Sequence, residues 1–141
     1  MNSNVITTGT GTTFEKLGKI GQGTYATVYK GMAITGSKKR TVAIKKIKIG
    51  AFKDGLDISA IREIKYLNEL HHPNVIDLVS VYTVSNNLHL VLEFLEADLE
   101  MIIRTKQVVI SAGDIKSWML MLLRGLYHCH RAFVLHRVNL A

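Results

Sequence analysis

The chain has 141 residues, a formal net charge of +7, 48% apolar and 21% charged residues. That length supports one small domain with a real core, the composition is that of an ordinary globular protein, and the longest apolar run, residues 118–123, is far too short to span a membrane. Cys129 is the only cysteine, which excludes an intrachain disulfide; Lys38, Lys39, Arg40, Lys45, Lys46, Lys48 and Lys53 gather around one strand and its loops without interleaved aromatics, a solvated sheet edge rather than a nucleic-acid surface.

Residues 1–13 carry no charge and no apolar core, so no signal peptide is expected there. Their Ser/Thr/Asn/Gly content predicts a flexible tail. Residues 14–20 read as a strand leading into the turn Gly21-Gln22-Gly23, and alternation resumes over 26–30, which predicts a hairpin. Residues 31–40 are polar and predict a loop, followed by a β-branched third strand over 41–49. After a second loop the period changes. Ile58, Ile61, Ile64, Leu67 and Leu70 recur every three residues and predict a helix over 57–70, ended by Pro73. Two more strands are expected over 76–84 and 88–94, joined by a turn at 85–87, then a short helix over 99–104. Ser111 and Asp114 form a capping box before a last helix whose apolar face is Ile115, Trp118, Met119, Leu122, Leu123 and Leu126.

The glycine turn fits G-x-G-x-x-A-x-V from Gly21 to Val28. A dinucleotide-binding loop would lead into a helix, and a Walker loop would need Gly-Lys-Ser/Thr. Here a strand follows, so the loop closes a hairpin. Glycines at such a turn let backbone N–H groups approach phosphate oxygens without Cβ interference. Alone the triplet is equally a plain hairpin turn. Val42-Ala43-Ile44-Lys45 then falls on the third strand, where a lysine can reach the α and β phosphates. An ammonium on four methylenes needs a carboxylate to hold it, and Glu63 on the following helix is the candidate. Lysine and glutamate could each be ordinary surface residues; their order and spacing behind a glycine loop argue for a pair.

In this combination the sequence resembles the cyclin-dependent protein kinases. Residues 57–63, Asp-Ile-Ser-Ala-Ile-Arg-Glu, look like their cyclin-binding helix, with Ile58, Ser59, Ala60, Ile61 and Arg62 as the cyclin-contacting positions. Within the family the chain is most similar to the CDK-activating branch, the kinase subunit of the general transcription factor TFIIH. Ala26, Lys53-Asp54-Gly55-Leu56 and residues 91–100 carry that likeness, and residues 118–130 look like the fungal members. The resemblance covers residues 14–137. It implies an α+β fold: a kinase N-terminal lobe with a five-stranded antiparallel sheet and one helix, followed by an incomplete helical C-terminal lobe. It divides the chain into a tail (1–13), an N-lobe with hinge (14–95) and the start of a C-lobe (96–141). It implies ATP as cofactor, bound by Ile20, Gly21, Gly23, Val28, Ala43, Lys45, Leu92 as gatekeeper, the backbone of Glu93 and Leu95, and Asp98 near the ribose. Thr24 and Tyr25 match the pair that many of these kinases use for inhibitory phosphorylation. The implied partners are a cyclin, the TFIIH assembly subunits and protein substrates, with neither nucleic acid nor membrane bound directly; the implied location is the nucleus.

The pattern departs after His136-Arg137. The family continues Asp-Leu-Lys-Pro-x-Asn, whereas Val138-Asn139-Leu140-Ala141 follow here. The acceptor-side Asp and both groups that hold magnesium are therefore expected to be missing from this chain, and phosphoryl transfer with them. Two readings share every motif: a truncated portion of a serine/threonine kinase, or a non-catalytic fragment that captures cyclin as a decoy.

Overall fold

The computed structural model describes residues 4–23, 26–47, 58–85 and 87–135, with backbone only for 58–60. Six strands, β1 (Val5–Thr7), β2 (Thr12–Gln22), β3 (Ala26–Thr35), β4 (Lys38–Ile47), β5 (Leu78–Val84) and β6 (Asn87–Glu93), form one curled antiparallel sheet in the order β1-β2-β3-β4-β6-β5. Among the described residues there are three helices: α1 (Ile58–Glu69) between β4 and β5, then α2 (Leu99–Arg104) and α3 (Ala112–Arg131) after the sheet.

The pleat sorts the apolar residues into two layers. Val42 and Ile44 on β4 and Val91 on β6 bury into one face with Phe14 and Ala33. That face is closed by the curl of the sheet itself: Phe14 of β2 stacks on Tyr82 of β5 at 5.6 Å, although β3, β4 and β6 lie between their strands. On the other face Ile47, Leu88 and Leu90 pack with Ile64 and Leu67 of α1. Gly31 is where the first layer demands glycine, because a Cβ there would lie 2.6 Å from the Ile44 side chain and 2.7 Å from the Glu15 carbonyl oxygen.

Three expectations need correction. Among the described residues the sheet has six strands, not five, and the flexible tail expected over 1–13 contains β1. Val5, Ile6 and Thr7 are β-branched and pair with Glu15, Phe14 and Thr13, while Gly11, with φ of +76°, turns the chain back. The loop expected over 31–40 is instead a continuation of β3 and β4 around a two-residue turn, Gly36-Ser37, with Thr35 paired to Lys38 and φ of +58° at Gly36. Its tip, residues 35–40, is exposed, so no apolar alternation marks it as strand. The turn expected at 85–87 is also shorter, since Asn87 already pairs with Val84. The helix expected over 57–70 is α1, Ile58–Glu69; Leu70, just past it, is 5% exposed and Ile61 49%. At about 100° per residue each three-residue step falls about 60° short of a turn, so residues three apart wind around the helix and Ile61 faces solvent.

α3 begins at the expected capping box, in which the Asp114 N–H donates to Ser111 Oγ and the Ser111 N–H to Asp114 Oδ2. It docks through its one buried residue, Gly125, against Asn74 in the loop between α1 and β5. His72 of that loop stacks on His128 of α3 at 4.9 Å.

Candidate functional site

Sheet register builds the site. Gly21 pairs with Val28, Val28 with Lys45, and Lys45 with Leu90, so one row crosses β2, β3, β4 and β6 on the face that carries α1. The adjacent row joins Lys30, Ala43 and Leu92. Val28 and Ala43 are half-buried and Leu92 is buried. Together they make an apolar floor beside an ammonium group.

That ammonium is fixed. Lys45 Nζ donates to Glu63 Oε1 at 2.6 Å, tying β4 to α1. Both side chains are roughly one-third exposed, at 27% and 35%. The pair therefore remains open to a third group. A lysine held this way offers its other two N–H donors to an anion in a defined direction.

The glycine hairpin closes over the row through the Gly23 N–H, which donates to the Ala26 carbonyl at 2.9 Å. Neither Gly21 nor Gly23 has positive φ. Among the described residues, a Cβ on Gly21 would meet Val28 Cβ at 3.8 Å, and one on Gly23 the Ala26 carbonyl oxygen at 3.9 Å. Among the described residues, neither packing nor backbone strain requires these glycines. Glycines at such a turn leave backbone N–H groups free of Cβ cover. Thr24 and Tyr25 lie outside the described residues, as do Lys48, residues 53–57 and residues 136–141.

Other expected positions are less convergent. Ile20 sits at an irregularity in the β2–β3 pairing, between Lys19 and Gly21, and is 54% exposed. Leu95, just past β6, is 61% exposed, and no backbone–backbone hydrogen bond outside helices and strands among the described residues involves it. Asp98 serves as the N-cap of α2, its Oδ1 accepting from the Met101 N–H at 2.7 Å. On α1, Ile61 and Arg62 are exposed, and only the backbone of Ile58, Ser59 and Ala60 is described.

Sequence reasoning missed a clasp at the end of β6. The Glu93 N–H donates to the Asp77 carbonyl at 3.1 Å, and the Asp77 N–H to Glu93 Oε1 at 3.0 Å. It holds the segment after Leu92 against the loop that docks α3. No local pattern could have revealed it, since the partners are sixteen residues apart. Lys30 also places its ammonium 4.8 Å over the Phe94 ring.

The protein kinase domain model matches residues 14–137. Among curated proteins the chain is 56% identical over 124 residues to the serine/threonine-protein kinase KIN28 of Saccharomyces cerevisiae, covering 88% of this chain and 40% of that protein. It is 56% identical over 125 residues to the serine/threonine-protein kinase crk1 of Schizosaccharomyces pombe, covering 89% and 37%. With cyclin-dependent kinase 7 of Xenopus laevis it shares 46% identity over 127 residues, covering 88% and 36%. The chain thus spans well under half the length of the curated relatives it matches.

Proposed function

The chain belongs to the protein kinase domain family, and we propose that it is the ATP-binding portion of a cyclin-dependent serine/threonine kinase of the TFIIH type. The observation that carries this reading is the Lys45–Glu63 ion pair, held at 2.6 Å beside a glycine hairpin that packing does not require. The names of the relatives supply the class: serine/threonine-protein kinases and a cyclin-dependent kinase.

In this reading Ile20, Val28, Ala43 and Leu92 enclose the adenine. The Glu93 N–H is already taken by Asp77, so hinge recognition runs through the Glu93 carbonyl and the backbone of Leu95. Asp98 lies toward the ribose with one oxygen capping α2. The hairpin N–H groups and Lys45 hold the phosphates, and Glu63 keeps Lys45 from swinging away. Magnesium bound with ATP neutralises the phosphate charge; the residues assigned here bind and orient. Position 138, where the family motif has its acceptor-side Asp, is Val. The segments 1–13, 14–95 and 96–141 then correspond to an extension, an N-lobe with hinge, and part of a C-lobe. For the whole protein the reading includes a cyclin on α1 around Ile58–Arg62, TFIIH subunits as further partners, protein serine/threonine substrates including the RNA polymerase II tail and other cyclin-dependent kinases, and a nuclear location.

The test compares ATP with adenosine. Lys45→Met should weaken ATP binding by roughly 10- to 100-fold, the effect of one charge-assisted hydrogen bond at about 1.5–3 kcal/mol. Adenosine, which lacks phosphates, should bind the variant as it binds the parent. Glu63→Gln should fall between them. Calorimetric titrations in which Lys45→Met loses neither ligand, or loses both equally, would remove the phosphate-clamp assignment.

A further inference from the structure

The sheet face away from α1 carries a second cluster that the nucleotide reading does not use. His89 is 2% exposed. Its Nδ1 lies 3.2 Å from the Asn87 carbonyl oxygen and its Nε2 lies 3.0 Å from Lys16 Nζ. A carbonyl only accepts and an ammonium only donates, so Nδ1 carries the proton and Nε2 accepts from Lys16. Tyr82 stacks on the imidazole at 4.8 Å and locks it in place. Lys46 is the direct cross-strand partner of His89. The group bridges β2 and β6, which are not neighbours in the sheet, so the curl of the fold assembles it.

A cavity of about 240 Å³ opens beside these groups, lined by Lys16, Lys46 and His89, with Asn4, Ser85 and Asn87 adding polar atoms. Among the described residues no carboxylate lines it. Among the described residues the side-chain ion pairs are Lys45–Glu63 and Arg104–Glu100, so neither Lys16 nor Lys46 is paired there. Two ammonium groups thus face one pocket with no counter-charge among the described residues. Burial, and then repulsion from Lys46, hold the Lys16 pKa below its ordinary value.

We propose that this pocket binds a phosphate-class oxyanion between Lys16 and Lys46, apart from the nucleotide site. Lys16 has two N–H donors left after His89, and Lys46 has three. Ser85 and Asn87 can supply a hydroxyl and an amide. A tetrahedral dianion presents oxygens in enough directions to meet all four groups, where a planar carboxylate presents two. The pocket has several times the roughly 30 Å³ of one water molecule, and its open side admits either a free ion or a phosphate carried on a side chain.

The experiment uses the 141-residue chain and measures its thermal midpoint in rising inorganic phosphate, with sodium chloride holding ionic strength constant. A ligand that binds only the folded state raises the midpoint and its effect follows site occupancy. The expected result is a phosphate-specific rise that Lys45→Met retains, which separates it from the nucleotide site. Lys46→Gln, a half-buried position not expected to disturb folding, should weaken the apparent affinity at least about tenfold. Lys16→Arg should keep it, since a guanidinium still donates to both His89 and the anion. O-phosphoserine is the second probe: binding in the same Lys46-dependent manner assigns the pocket to phosphorylated side chains, and its failure beside successful phosphate assigns it to the free ion. A rise equal in chloride, a rise unchanged in Lys46→Gln, or a rise lost in Lys45→Met overturns the proposal.

Discussion

Lys45 and Lys46 are adjacent in sequence and opposite in surroundings, because the pleat turns one toward α1 and the other toward the back of the sheet. Lys45 meets Glu63; Lys46 lies beside Lys16 and opposite His89. His89 has the sharper consequence for pH. Burial, then the charge of Lys16, lowers its pKa from 6.5 to about 4, while the hydrogen bond to the Asn87 carbonyl opposes the shift. A depressed histidine is neutral in the folded state where the unfolded state takes up a proton. Its contribution is therefore intact above pH 6.5 and is lost as pH falls from 6.5 toward 4. At about 1.4 kcal/mol per unit, stability should drop by about 2 kcal/mol between pH 6.5 and about pH 5 from this group alone. The groups facing the imidazole are Lys16, Lys46 and Tyr82; protonating His89 adds a third positive charge, which none of them relieves. Urea unfolding at several pH values checks this. His89→Gln should flatten the acid slope relative to the parent, and an unchanged slope would remove His89 as its source.

At the scale of elements, α3 is attached to the rest of the chain through a contact that only glycine permits. A Cβ on Gly125 would come within 2.4 Å of the Asn74 carbonyl oxygen, and that neighbour is backbone, which cannot rotate away. Gly125→Ala is favourable for an isolated helix by about 1 kcal/mol. In this chain it should nonetheless destabilise, since forced overpacking costs typically about 1–3 kcal/mol. Denaturation midpoints of the variant decide the sign; a gain in stability would mean that α3 does not rest on the 70–77 loop. Helix capping and strand alternation were legible locally: the Ser111 box, the β4 lysine and α2 fall where the pattern puts them. So was the Lys45–Glu63 ion pair, because its two residues sit eighteen apart, one on a strand and one on the helix that follows a glycine hairpin. Gly125 against Asn74, Glu93 against Asp77 and Lys16 against His89 were not legible. Each is a long-range contact between residues whose own neighbourhoods look ordinary, and the β1 strand was hidden because three residues are too few to show a period.

The whole molecule has a closed half and an open half. The sheet buries both of its faces, one by curling and one under α1. The helical part buries little: among the described residues Gly125 is the only buried one in α3, while Ile115, Met119, Leu122 and Leu123 are 54%, 52%, 64% and 53% exposed, with Val109 at 91% and Phe133 at 95% nearby. An amphipathic helix whose apolar side faces water lacks the packing that normally stabilises it. In the 141-residue chain this surface should drive self-association, because burying apolar area gains about 25 cal/mol per Å² and the face offers several large side chains at once. The expectation is that light scattering and sedimentation show growth in size with concentration. Replacing Leu122 and Leu123 together by Gln should suppress that growth. The same replacement should leave unfolding of the sheet unchanged, since both side chains point away from the buried clusters. Those clusters draw on the strands and α1, so the two properties separate. Self-association undiminished in the double variant would place the sticky surface elsewhere, with the exposed Leu17 and Ile20 of β2, each at 54%, the next residues to replace.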